Sequence, residues 1–182
     1  MIKIILINLK RKYLKKIKKL NSSTKINIFK KEILSNNAEK IIKSYDIVVD
    51  GSDNFKTKYL LNDVCQKNKK ILISASLNGF EAQITTFKSW IKSANNPCYR
   101  CIFPETHNDL DISNCNEAGI IGGLAGAIGS LQSVEVIKEI LNIGESLSGK
   151  LFIINILNSE YKKLKIKKNI KCLKNKKCLQ CI

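Results

Sequence analysis

The sequence predicts an α/β protein whose largely parallel sheet ends in a few late antiparallel strands. Compact apolar runs bounded by turn residues, at Asp46–Asp50 (DIVVD) and Ile71–Leu77 (ILISASL), have the continuous hydrophobicity of strands covered on both faces. Segments of helical period alternate with them, the pattern of βα units. The chain has 182 residues, 44% hydrophobic and 26% charged, enough for one domain with a sizeable core and too apolar for wholesale disorder. Two prolines and nine glycines exclude collagen-like and low-complexity linker classes.

In chain order, Tyr13–Leu20 fits a helix turning Leu14 and Ile17 inward, with Leu20 a further inward candidate. Thr24–Lys30 alternates as a strand does, and Asn36–Ser44 has short helical character. Asp46–Asp50 is a buried parallel strand, followed by the polar turn Gly51-Ser52-Asp53-Asn54 and a helix to about Lys67. Ile71–Leu77 repeats the buried-strand pattern and Glu81–Lys88 alternates. Ser89–Glu117 is a long irregular stretch holding three cysteines and both prolines. A helix follows over about Ala118–Asn142, then strands near Leu151–Leu157 and Tyr161–Ile166, and a cysteine-bearing tail.

The formal net charge of +17 is unevenly distributed: residues 1–45 carry +11, residues 46–145 carry −3 and residues 146–182 carry +9. Thirty of the 32 basic residues are lysine, and lysine, isoleucine and asparagine are all specified by A/T-rich codons, so drift of base composition accounts for the charge. Only Arg11 and Arg100 could make the bidentate contacts that specific nucleic-acid readout favours, which argues against a specific nucleic-acid partner. At the N-terminus the charges follow the apolar run and no small-residue cleavage site appears, so no secretory leader is expected. Ala118–Val134 is uncharged for seventeen residues, the lower limit for a membrane span. The pattern continues as an amphipathic helix through LQSVEVIKEILNIG, so a buried helix of a soluble protein is expected, with no membrane association. Seven cysteines, an odd number, point to a reducing, cytoplasmic compartment and to metal or thiol chemistry.

Two C-x-x-C pairs, Cys98/Cys101 and Cys178/Cys181, are the strongest chemical signal. Each places two thiolates on one side of a tight turn, and together they form the four-sulfur shell of a structural zinc, a staple between a loop and a distant tail. The alternatives are cysteines without a role and a redox dithiol, which is expected where a strand meets a helix, whereas Pro97 and Pro104 bracket the first pair in a loop. Cys172 is a spare candidate ligand without a C-x-x-C partner. Asp53-Asn54, at the carboxyl end of a buried strand, lies where open α/β sheets bind ligands, and a carboxylate there can organise Mg²⁺ around a triphosphate. The same residues also suit a helix N-cap. Cys115 precedes a glycine-rich helix start, which favours a nucleophilic thiolate, and an ordinary loop cysteine remains the alternative. His107 is the only histidine, which rules out a polyhistidine metal site. No glycine precedes Gly51, so no G-x-G-x-x-G or P-loop stands ahead of the sheet.

Taken together, DIVVDGSDNFKTKYLLNDVC, ISASLNGFEAQITTF, PCYRCIFPE, NCNEAGIIGGLAGAIGSLQSVEVIKEI, SGKLFI and the terminal CLQC resemble the MoeB/ThiF/HesA family, relatives of ubiquitin-activating enzymes, over about residues 36–181. The resemblance implies an incomplete Rossmann-like sheet. It implies ATP- and Mg²⁺-dependent adenylation of the C-terminal glycine of a ubiquitin-like sulfur carrier ending in Gly-Gly, by a homodimer. It further implies that Asp53 is the essential carboxylate and that Asn54 completes the nucleotide-site pair. Cys98, Cys101, Cys178 and Cys181 match the zinc ligands, and Cys115 matches a loop cysteine that forms a thioester or acyl disulfide with the carrier in some members. Lys10 lies roughly where the family has a phosphate-contacting lysine.

The family's opening portion, with its glycine-rich loop, has no counterpart here. The expectation is therefore a single ThiF-type domain, residues 1–182, truncated at its N-terminus relative to the family. The missing half would be a separate polypeptide, or the reading frame a fragment or a decaying copy. The rival readings are a non-catalytic, zinc-stabilised carrier-binding fragment and a basic nucleic-acid-binding module.

Overall fold

The computed structural model describes residues 3–7, 14–104 and 119–169. A six-stranded sheet runs in the order β1 (Ile4–Ile7), β2 (Ile47–Asp50), β3 (Ile71–Asn78), β4 (Glu81–Phe87), β5 (Lys150–Asn155), β6 (Glu160–Lys165). The pairs β1–β2 and β2–β3 are parallel and the remaining three are antiparallel. The switch comes early because β3 turns straight back into β4 at Gly79, whose φ of +56° a side chain would disfavour.

Helices cover both faces of the parallel part. On one face α2 (Ala38–Ile42) and α3 (Phe55–Lys67) pack against Ile5, Ile7, Val48 and Leu72. On the other, α5 (Gly122–Leu141) covers Ile47, Val49 and Ile73 with Val136, and Ala75, Ala82 and Ile84 with Leu124 and Ile128. All four residues of β2 are consequently buried, as its unbroken apolar run requires. Helix α5 ends on Asn142, in the left-handed conformation common at helix C-termini. The opposite side of α5 leaves Val134, Ile137 and Leu141 half-exposed, so the expectation of a buried helix holds for one face only. No helix among the described residues is long and apolar enough to cross a membrane.

Four segments differ from expectation. Thr24–Lys30 has the alternation of a strand but pairs with none among the described residues. Alternation specifies which side a segment buries once paired and supplies no partner. The helix expected at Tyr13–Leu20 is present as α1 (Leu14–Leu20), but Leu20 is 88% exposed rather than inward. Strand β1, in a segment with no expected strand, is an edge strand among the described residues, with Ile4 and Leu6 half-exposed on the α5 side. A short helix, α4 (Tyr99–Ile102), interrupts the stretch expected to be irregular.

The turn into β5 depends on Gly149. Its φ is +73°, and an added Cβ would stand 2.2 Å from the Asn95 carbonyl oxygen. Gly149→Ala should therefore destabilise the chain by at least about 1–3 kcal/mol in denaturant unfolding. Unchanged stability would mean that the backbone relaxes freely there.

Candidate functional site

Strand β2 ends in a carboxylate that is completely buried. Asp50 Oδ1 accepts from the Ser52 backbone N–H at 2.8 Å and from the Ser52 hydroxyl at 2.6 Å. Its Oδ2 accepts from Lys58 Nζ at 2.8 Å and from the Ser74 hydroxyl at 2.7 Å. Lys58, 5% exposed, also donates to the Ala75 carbonyl at 2.7 Å. Gln132 of α5 donates to the Asp50 carbonyl at 2.9 Å. The cluster ties β2, β3, α3 and α5 together and sets the path of the loop Gly51–Asn54. A buried charge is tolerated only when paired and hydrogen-bonded, and here both charges are.

Of Asp53 and Asn54, the second takes the capping role. Asn54 is the N-cap of α3, its Oδ1 accepting from the Thr57 backbone N–H at 2.8 Å. That leaves Asp53 exposed, with one carboxylate oxygen 3.3 Å from the Asn54 amide nitrogen. Asp53 stands beyond the carboxyl ends of β1 and β2, where Ile7 and Asp50 are register partners. There Ser52, Asp53, Asn54 and Thr57 form the polar end of a cavity of about 1000 Å³. The segment from Thr24 also lines it, with Lys25, Lys30 and Lys31 among apolar residues such as Ile26, Ile28 and Phe29. A hard oxygen ligand, hydroxyls and lysines around one crevice suit a phosphorylated ligand with its divalent cation.

Cys98 and Cys101 flank the start of α4 with their sulfurs 3.7 Å apart. A disulfide needs about 2.05 Å. A tetrahedral zinc with bonds of about 2.3 Å has S···S edges of about 3.8 Å, so this pair fits half of such a shell. Among the described residues no three candidate ligands gather. Cys178 and Cys181 lie outside the described residues, as do Cys115, Lys10, His107 and Cys172. Cys65 is buried in the core, and burial, with the Asp50 carboxylate adding to it, pushes its thiol far up, away from nucleophilic chemistry.

The residues that the sequence reading missed are Asp50, Ser52, Lys58, Ser74 and Gln132. A signal was present: Lys58 shares a helical stripe with Leu61, Asn62 and Cys65, and a lysine on a buried stripe calls for a buried acid.

The open α/β sheet, with its crevice at the strand ends, places the chain among proteins that bind ligands at that edge. The sequence pattern of the ThiF family matches residues 12–174, and the chain belongs to that family. It is 42% identical over 154 residues to "Adenylyltransferase and sulfurtransferase MOCS3" of Dictyostelium discoideum, covering 84% of this chain and 35% of the relative. It is 35% identical over 159 residues to "Sulfur carrier protein adenylyltransferase" of Thermus thermophilus, covering 87% and 59%. The chain thus spans between about a third and three-fifths of these relatives' length. Among solved structures, E. coli MccB with ATP matches with a TM-score of 0.64 at 20% identity, covering 85% of this chain and 47% of that one. E. coli MccB with selenomethionine MccA gives 0.68 at 19%, covering 86% and 46%. At those identities the likeness shows the fold.

Proposed function

We propose that the chain is part of an ATP-dependent adenylyltransferase that activates the C-terminal glycine of a ubiquitin-like sulfur-carrier protein. The observation that carries this reading is Asp53, released from capping by Asn54 and exposed at the polar end of the crevice. The curated relatives named as adenylyltransferases support it. The carrier's terminal carboxylate attacks the α-phosphorus of ATP, an acyl adenylate forms and pyrophosphate leaves. Asp53 would hold Mg²⁺, which would supply charge stabilisation at the phosphates, and Asn54 keeps the carboxylate in place by fixing the helix start.

Zinc held by Cys98, Cys101, Cys178 and Cys181 is structural in this reading, and the 3.7 Å sulfur separation supports the first half of that site. A second copy of the chain is the assembly partner in this reading, and the half-exposed Ile4, Leu6, Val134, Ile137 and Leu141 offer apolar surface for it.

Carrier-dependent ATP–pyrophosphate exchange tests the proposal, with the chain alone and with candidate partner polypeptides. Exchange that requires both the carrier and this chain supports it, and exchange indifferent to this chain overturns it. The thiol of Cys115 belongs to a later step, taking the acyl group from the adenylate with release of AMP. Cys115→Ala should therefore leave exchange nearly intact and reduce only sulfur transfer. Loss of exchange in that variant would mean the thiol's role is misassigned.

A further inference from the structure

Both spacer residues of Cys98-Tyr99-Arg100-Cys101 point into the molecule: Tyr99 is 2% exposed and Arg100 7%. The Tyr99 ring is wedged among Tyr59, Phe87 and Phe103, at centroid distances of 5.3, 5.9 and 4.9 Å. Its backbone N–H donates to Asn62 Oδ1 of α3 at 2.8 Å. The Asn62 amide nitrogen donates in turn to Asp63 Oδ1 at 3.0 Å. Asp63 receives both arms of the Arg100 guanidinium, Nη1 on Oδ1 and Nη2 on Oδ2, the second at 3.0 Å. That guanidinium lies 4.9 Å from the centroid of the Tyr59 ring. Two successive residues of α3 thus grip two successive residues of the turn, while the Cys101 N–H closes it on the Cys98 carbonyl at 3.0 Å.

We propose that Asn62 and Asp63 are positioning residues for the metal held by Cys98 and Cys101, fixing the thiol pair through the Tyr99 N–H and the Arg100 fork. This rests on the zinc reading above. Ordering two side chains on a free loop costs conformational entropy each time a metal binds. Here the turn is ordered when the domain folds, and the sulfurs already stand near the edge length of a tetrahedral shell. Losing a partner one step behind the ligands typically costs about 10–100-fold in metal affinity. A C-x-x-C with no metal role needs neither a bidentate clamp nor a buried amide on its spacer residues.

The test uses the full chain, reduced and metal-free, titrated with Co²⁺ and with Zn²⁺ against a chromophoric chelator. Asn62→Ala should weaken Zn²⁺ binding by about 10–100-fold, and Asp63→Ala by about tenfold. Both should dim the visible bands of tetrahedral Co²⁺. Asp63→Glu, which keeps a carboxylate for the Arg100 fork, should recover most of the loss. The Asp63 carboxylate is 41% exposed, so its variants keep the test open if Asn62→Ala fails to fold. Wild-type affinity and wild-type bands in the alanine variants overturn the positioning role and leave the zinc reading standing. A wild-type chain that takes up neither ion overturns both.

Discussion

Asp50→Asn is expected to destabilise the folded chain by about 3–5 kcal/mol, the loss typical when one partner of a buried ion pair is removed. The amide keeps the size of the carboxylate but leaves the Lys58 ammonium, 5% exposed, without its counter-charge. It must also place an NH₂ where one of the donors Ser52, Lys58 or Ser74 now points. Lys58→Met should cost a comparable amount, because it strands the carboxylate instead. Asp50→Asn combined with Lys58→Met should cost less than the sum of the two, since neither charge is then buried alone. Equilibrium denaturation of the four proteins measures this cycle. Additive losses would mean that the pair is not coupled and that the loop is held by other contacts.

Asp53→Ala should have the opposite profile. In any assembly in which this chain supports carrier adenylation, the substitution should reduce ATP–pyrophosphate exchange to background, a loss of at least about 10²–10³-fold. Stability should stay within about 0.5 kcal/mol of wild type, because the side chain is exposed and the cap belongs to Asn54. Asp50 and Asp53, three positions apart, therefore separate a carboxylate that holds the loop from one that the loop presents. Full exchange activity in Asp53→Ala would remove the carboxylate from the proposed reaction.

Much of the architecture was legible from local pattern. Ile47–Asp50, Phe55–Lys67, Ile71–Asn78 and Gly122–Leu141 all appear within a few residues of where apolar runs and helical period place them. The pattern failed where structure depends on a partner rather than on the segment itself. Thr24–Lys30 alternates without pairing, whereas Ile4–Ile7 pairs because β2 offers its edge. The site was legible in part for the same reason. Asp53, Cys98 and Cys101 stand out through neighbours in sequence, whereas Asp50, Ser74 and Gln132 meet only in space, across 24 and 82 residues of chain. The capping role could be divided between Asp53 and Asn54 only by the hydrogen bond to Thr57, since either side chain suits an N-cap.

The two rims of the sheet are chemically unlike. Strand β6 is exposed along its whole length, and its two faces both carry lysine, Lys162 on one and Lys163 and Lys165 on the other. An incoming strand that docks there must desolvate or displace those ammonium groups, and a second copy of β6 brings the same charges against them. Among the described residues, strand β1 presents the apolar Ile4 and Leu6 instead. Growth of the sheet by strand addition is thus discouraged at the β6 rim by the charges the strand itself carries. The lysines of β6 work as protection against edge-to-edge stacking of sheets.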